Sequence, residues 1–252
     1  MVSAILLGAG ESKRMGRNKL SFPWGKKTIF EHCLGTLLRS DVREVIVVLS
    51  HRIGWMENQW RGQNVNPSTP RPESQDLPRG LSSGRRLRVD PERRFFTLPS
   101  KMGFGAAERV KVVKNPYYKR GMSTSIRRGL QAIDPRSRGI LIALGDQPLI
   151  KTRTINALIH AFVQRRGTIV VPSFRGKQGH PVIFHRRYLK ELLKLRGDVG
   201  GRSIIEKHPE EVWLVRIKSE GVTKDIDTWE DYNPPQPISP HQVGRKKGRG
   251  KR

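Results

Sequence analysis

The residues best suited to chemistry lie near the start of the chain. Between positions 7 and 19, Leu7, Gly8, Ala9, Gly10 and Gly16 are interleaved with Lys13, Arg14, Arg17 and Lys19. Small residues let backbone N–H groups approach phosphate oxygens. Arg14 can grip a phosphate with two parallel N–H groups, and Lys19 can act as a point charge. Two familiar phosphate loops fail here. The dinucleotide fingerprint needs a third glycine where Lys13 stands, and an acid after the next strand where Ser50 and His51 stand. The P-loop needs Gly-Lys-Ser/Thr after four spacers, and that order is missing. What remains is a cationic, glycine-rich turn that can hold phosphates; a solvated basic loop is the alternative.

Later clusters offer complementary chemistry. Asp146 stands between Gly145 and Gln147-Pro148, directly after an apolar run. A carboxylate there can ligate magnesium, which takes one or two carboxylates and fills its shell with phosphate oxygens and water. An Asx turn is the competing reading. Asp225 and Asp227 flank Ile226, so in an extended segment they face one side. One of them can supply a second metal contact, or Asp227 or Thr228 can cap a following helix. Ser123 and Ser125, after Asn115 and Gly121, can bind an anion at a helix start or simply cap it. His180, between Gly179 and Pro181, can contact a substrate or be incidental to its turn; Asp198 and Arg202 are the acid and base of a flexible glycine-rich turn, where Arg202 can face an anionic acceptor. No Ser-His-Asp order, zinc-ligand spacing or His-Glu-x-x-His is present.

These residues need a scaffold. Apolar runs at residues 2–7, 45–49, 110–113, 140–144, 168–171, 181–184 and 212–217 predict strands. Thr28 with Glu31 predicts a capping box opening a helix to about residue 39. Helices are also predicted from Ser123 or Ser125 to about 133, over 152–164 with Ile155, Leu158, Ile159 and Phe162 on one face, over 188–195, and briefly after Asp225. Alternation of strand and helix predicts an α/β fold with a mainly parallel sheet and helices on both faces. Ligands of such sheets bind at the carboxyl ends of the strands. Residues 58–109 read as a flexible basic insertion within a domain spanning 1–232, with residues 95–98 its one candidate strand. Residues 233–252 read as a disordered basic tail.

The 252 residues carry a formal net charge of +27 and only 35% hydrophobic residues, which points to anionic partners. Basic runs at 79–94 and 244–252 account for part of the excess; a lineage-wide basic bias is the plain alternative. The one cysteine, Cys33, sits in an apolar helix pattern and reads as packed rather than nucleophilic. Its isolation fits a reducing cytoplasm. The apolar start is too short for a signal peptide, and no run approaches the roughly 20 apolar residues of a membrane span.

Taken in order, the blocks resemble the MobA-like nucleotidyltransferases, and within them the molybdenum cofactor cytidylyltransferases. They are Leu7, Gly8, Ala9, Gly10, Arg14, Met15, Gly16 and Lys19; Asn115 with residues 121–126; residues 145–148; residues 179–181; Gly197, Asp198 and residues 200–202; and residues 225–228. Departures are Gly8 in place of the usual alanine, Trp229 in place of a common proline, and the insertion.

The resemblance implies a Rossmann-like nucleotidyltransferase fold. It implies transfer of a nucleoside monophosphate, with CTP favoured as donor, to a phosphorylated acceptor such as the molybdopterin cofactor, releasing pyrophosphate. Asp146, with Asp225 or Asp227, would hold Mg2+. Arg14 and Lys19 would offset developing charge. Leu7, Gly8, Ala9, Gly10, Ser123 and Ser125 would bind nucleotide, and His180, Asp198 and Arg202 the acceptor. A molybdoenzyme or cofactor-delivery protein is the implied partner. The rival readings are a different phosphorylated acceptor, a nucleic-acid-binding protein on the same scaffold, and cofactor delivery without chemistry. Low aromatic content (7%) and the lack of a recognised module argue against nucleic acid.

Overall fold

Strand β1 (Val2–Gly8) is buried along its whole length. Its side chains alternate between two cores: Val2, Ala4 and Leu6 enter one, Ile5 and Leu7 the other. A strand covered on both faces must be apolar at every position, and this explains its unbroken run. The computed structural model describes residues 1–10, 12–50, 109–164 and 167–233. Nearly all of the expected insertion at 58–109, its candidate strand and nearly all of the tail at 233–252 lie outside the described residues.

The chain continues through a small hairpin, β2 (Pro23–Trp24) and β3 (Lys27–Thr28), then helix α1 (Ile29–Leu38) and β4 (Val45–Leu49). After residue 108 come β5 (Val110–Lys114), α2 (Met122–Ala132), β6 (Gly139–Leu144), α3 (Thr152–Val163) and β7 (Ile169–Phe174). The last elements are β8 (Lys177–Gln178), β9 (Val182–His185), α4 (Leu189–Lys194), α5 (Arg202–Lys207) and β10 (Val212–Arg216).

The main sheet has the order β10-β7-β9-β6-β1-β4-β5, with β8 beside β7. β1 pairs in parallel with β4 and β6, β4 with β5, and β7 with β10. β9 runs antiparallel to both its neighbours. The cause is the short connection from β7. Arg175 and Gly176, at φ 49° and 82°, turn the chain straight back, and a parallel return would need a crossover of about a dozen residues. α1 and α3 cover one face of the sheet, with Phe30, Leu34, Leu158 and Phe162 in its core. α2, α4 and α5 cover the other, with Ile126, Leu130, Leu192 and Ile204.

Two local expectations are corrected. α2 is not capped by Ser123 or Ser125: its N-cap is Gly121, at φ 101°, and both serines are buried inside the helix. The cap comes from across a loop, where Asp198 Oδ1 accepts from the Met122 amide at 3.1 Å. After Asp225 the described residues form a turn and no helix. Asp231 accepts from the Thr228 amide at 2.9 Å, while Thr228 Oγ1 accepts from the Asp231 amide at 3.3 Å. By contrast the capping box at α1 forms as expected, with Thr28 N to Glu31 Oε2 at 2.8 Å and Glu31 N to Thr28 Oγ1 at 3.2 Å. The glycine-rich turn near residue 200 runs directly into α5.

The strand order places the site. The chain fills β4 and β5 on one side of β1, then crosses to β6 on the other. The carboxyl ends of β1 and β6 therefore diverge at a switch point, the usual ligand crevice of such sheets.

Candidate active site

Gly8 and Gly145 close β1 and β6, and both need to be small. A Cβ on Gly8 would lie 2.7 Å from the Phe30 ring and 2.8 Å from Leu49; one on Gly145 would lie 2.9 Å from the Leu7 carbonyl. Gly8 is thus a packed strand residue. The chain then opens at Ala9 and Gly10 onto a cleft of about 740 Å³.

The loop beyond folds back on itself. Ser12 Oγ accepts from the Lys19 amide at 3.1 Å, and Asn18 Oδ1 accepts from the Leu20 amide at 3.1 Å. This buries the Lys19 stem, leaving its side chain 9% exposed, and aims the ammonium into the cleft. Lys19 Nζ lies 2.7 Å from Asp146 Oδ2 and 2.6 Å from Asp227 Oδ1. Arg14 Nη1 reaches Asp227 Oδ2 at 3.3 Å. The Asp146 carbonyl accepts from the Ile226 amide at 3.0 Å, which lays the segment bearing Asp225 and Asp227 beside the end of β6. Gln147 Nε2 donates to Asp225 Oδ1.

The electrostatics follow from burial and from the close pairing of unlike charges. Burial alone would lower the Lys19 pKa; the charges and hydrogen bonds of Asp146 and Asp227 outweigh it and raise the value. Burial raises the Asp146 carboxyl above its ordinary value, and Asp225 adds to this. Lys19 offsets only part of the rise. Asp146, Asp225 and Asp227 face Arg14 and Lys19, and Asp198, Lys119 and Arg120 line the same cleft, so its formal charges balance. Asp146 Oδ1 is also buried without a hydrogen-bond partner.

That donor set fits a divalent cation: hard oxygens, one of them unpartnered, on two carboxylates that already bracket a positive charge. Among the described residues no group of three or more metal-ligating side chains gathers. The rest of such a shell would have to come from phosphate oxygens and water.

The other candidate residues divide between places. Leu7, Ser125 and Asp198 line the same cleft as Ala9, Gly10 and Arg14. Gly8 and Ser123 do not line it, and the buried Ser123 hydroxyl has no hydrogen-bond partner. His180 and Arg202 lie in an adjoining cleft of about 940 Å³ that shares Met122 as a wall. Burial lowers the His180 pKa, only partly opposed by Asp225 and Asp146. Arg202 pairs with Glu206 at 2.8 Å on the surface. Cys33 is buried, and burial pushes its thiol up, so it stays protonated.

Ser12, Tyr118, Lys119 and Arg120, outside the candidates named from sequence, also line the first cleft. Lys119 and Arg120 directly precede Gly121, inside a run already singled out for its hydroxyls, and their charge was the available signal. Gln147, part of the block at 145–148, joins two of the acidic segments through its contact to Asp225.

A switch-point cleft that opposes cationic loop residues to carboxylates defines a phosphate-handling α/β transferase. Residues 4–212 match the MobA-like NTP transferase domain, and the chain belongs to that family of nucleotidyltransferases. Over 231 residues it is 25% identical to the purine catabolism protein PucB of Bacillus subtilis (strain 168), covering 91% of this chain and 93% of PucB. It is 20% identical to the molybdenum cofactor cytidylyltransferase of Escherichia coli (strain K12), also over 231 residues, covering 92% and 93%. The fold is shared with Rv0371c of Mycobacterium tuberculosis H37Rv, at a TM-score of 0.63 and 23% identity, covering 92% of this chain and 94% of that one. A manganese complex of Rv0371c aligns at a TM-score of 0.60 and 22% identity, covering 92% and 95%. No helix among the described residues is long and apolar enough to cross a membrane.

Proposed function

We propose that the chain transfers CMP from CTP to a phosphorylated acceptor, with the molybdopterin cofactor as the favoured acceptor and magnesium as the metal. The observation that carries this is the convergence of Lys19, Arg14, Asp146 and Asp227 at the switch point. The choice of donor and acceptor follows the cytidylyltransferase relative and the Gly145, Asp146, Gln147, Pro148 block.

An acceptor phosphate oxygen attacks the α-phosphorus of the donor in line. A P–O bond forms, the bond to the β-phosphate oxygen breaks, and pyrophosphate leaves with that electron pair. The protein supplies no nucleophile, so positioning and charge stabilisation carry the reaction. Amides near Ala9 and Gly10 orient the triphosphate. Arg14 and Lys19 exchange their carboxylate partners for phosphate oxygens and offset charge on the leaving group. Asp146, with Asp227 or Asp225, would hold magnesium, whose chemistry when bound is to neutralise charge on phosphate oxygens.

Ser125, on the cleft wall, contacts the donor or acceptor. Asp198 holds the start of α2 at the cleft wall. His180 and Arg202 face the acceptor in the adjoining cleft. A molybdoenzyme or delivery protein would take the product.

The test is incubation with CTP, GTP or ATP, magnesium and a molybdopterin-type acceptor, followed by mass analysis. A CMP adduct with matching pyrophosphate is expected. An adduct on a sugar, isoprenoid or lactyl phosphate instead would reassign the acceptor. No transfer from any donor to any of these acceptors would end the proposal.

A further inference from the structure

We infer that Phe22, Trp229 and Tyr232 form an aromatic clasp that positions Asp227 against Lys19; this rests on the function proposed above. Lys19 and Asp227, which meet in the cleft, come from opposite ends of the chain. The segment around Asp227 has no helix or strand of its own to hold it. Upstream it is pinned by Ile226, which is 2% exposed and whose amide donates to the Asp146 carbonyl.

Downstream the hold is aromatic. The Trp229 ring stacks on Phe22 with centroids 5.0 Å apart and planes 20° from parallel. Tyr232 meets Phe22 edge-on at 5.6 Å, and its hydroxyl donates to the Pro23 carbonyl at 2.6 Å. The turn closed by Thr228 and Asp231 brings both rings to one side.

Spacing converts this contact into site geometry. Phe22 stands three residues after Lys19, and Trp229 two residues after Asp227. Closing the ring pair therefore brings the Lys19 and Asp227 side chains to their 2.6 Å contact. Trp229 remains 54% exposed, too open for a core residue, and it is one of the positions at which the chain departs from the pattern it resembles. These three are positioning residues; none of them lines the cleft.

The test compares the full chain with Trp229→Ala, Trp229→Phe and Tyr232→Phe. Hydrogen exchange without ligand should show Trp229→Ala losing protection together in residues 17–24 and 224–232, with Trp229→Phe close to the parent and Tyr232→Phe between. In nucleotide transfer, Trp229→Ala should raise the half-saturating magnesium concentration by about five- to tenfold, the scale of one lost aromatic pair. The acceptor KM and the thermal midpoint should stay near the parent's, and phenylalanine should restore the metal dependence. Parent-like exchange and metal dependence in Trp229→Ala would overturn the inference, as would equal failure of Trp229→Phe. If the parent itself transfers no nucleotide, the proposed function falls, and the exchange measurement alone decides whether the clasp exists.

Discussion

Replacing Asp146 with asparagine keeps the side chain's shape and removes its charge, which separates catalysis from folding. In the parent, the carboxylate lies 2.7 Å from the Lys19 ammonium and presents a second, unpartnered oxygen. At an effective dielectric of about 20, unit charges about 4 Å apart interact by about 4 kcal/mol. Deleting one preorganised electrostatic contact typically costs about 2.7–4 kcal/mol of barrier. Turnover should therefore fall by roughly a hundred- to a thousandfold.

Folding should respond differently. Burial raises the Asp146 carboxyl, so its folded pKa exceeds its unfolded one. The ionised carboxylate then opposes folding at neutral pH, and the opposition fades as pH falls through the folded pKa. Neutral asparagine lacks this cost, so the urea midpoint at pH 7 should hold or rise. The assay is pyrophosphate release under saturating CTP and magnesium, run beside urea unfolding of the same preparations. Turnover within threefold of the parent, or a variant that unfolds at much lower urea, would refute the charge argument.

Lys19→Met should do the reverse on the folding side. It removes the cation bracketed by Asp146 and Asp227 and should destabilise the chain by about 3 kcal/mol, measured from the urea midpoint, besides abolishing transfer. Gly8→Ala should cost about 1–3 kcal/mol, because its methyl would press on the buried Phe30 ring and Leu49. Phe30→Leu in the same chain should recover part of that loss in thermal unfolding, and an unchanged midpoint in Gly8→Ala alone would refute the packing account. Burial keeps the His180 pKa below its unfolded value of about 6.5, so stability should fall as pH drops below that point and the unfolded state takes up the proton. In His180→Gln, stability measured from pH 7.5 to 5 should vary less steeply than in the parent.

Much of this protein was legible in its residues because the controlling interactions are local or periodic. The Thr28 and Glu31 capping box spans one turn, and its side chains pair as their spacing dictates. Strands buried on both faces announce themselves by unbroken apolar runs, as at 45–49. Order along the chain also identified the Lys19 and Asp146 blocks, although 127 positions separate them.

What the residues left open was settled by contacts between distant segments. Asp225 and Asp227 are equivalent by spacing, yet only Asp227 meets Lys19 and Arg14, while Asp225 meets Gln147. Ser123 and Ser125 are equivalent as hydroxyls near a helix start, yet Asp198 takes the cap and only Ser125 reaches the cleft. The position of Trp229 over Phe22 and the assignment of His180 and Arg202 to a second cleft have the same origin. Each depends on which surfaces the packed sheet brings within a few ångströms, and neither propensity nor spacing along one segment carries that information.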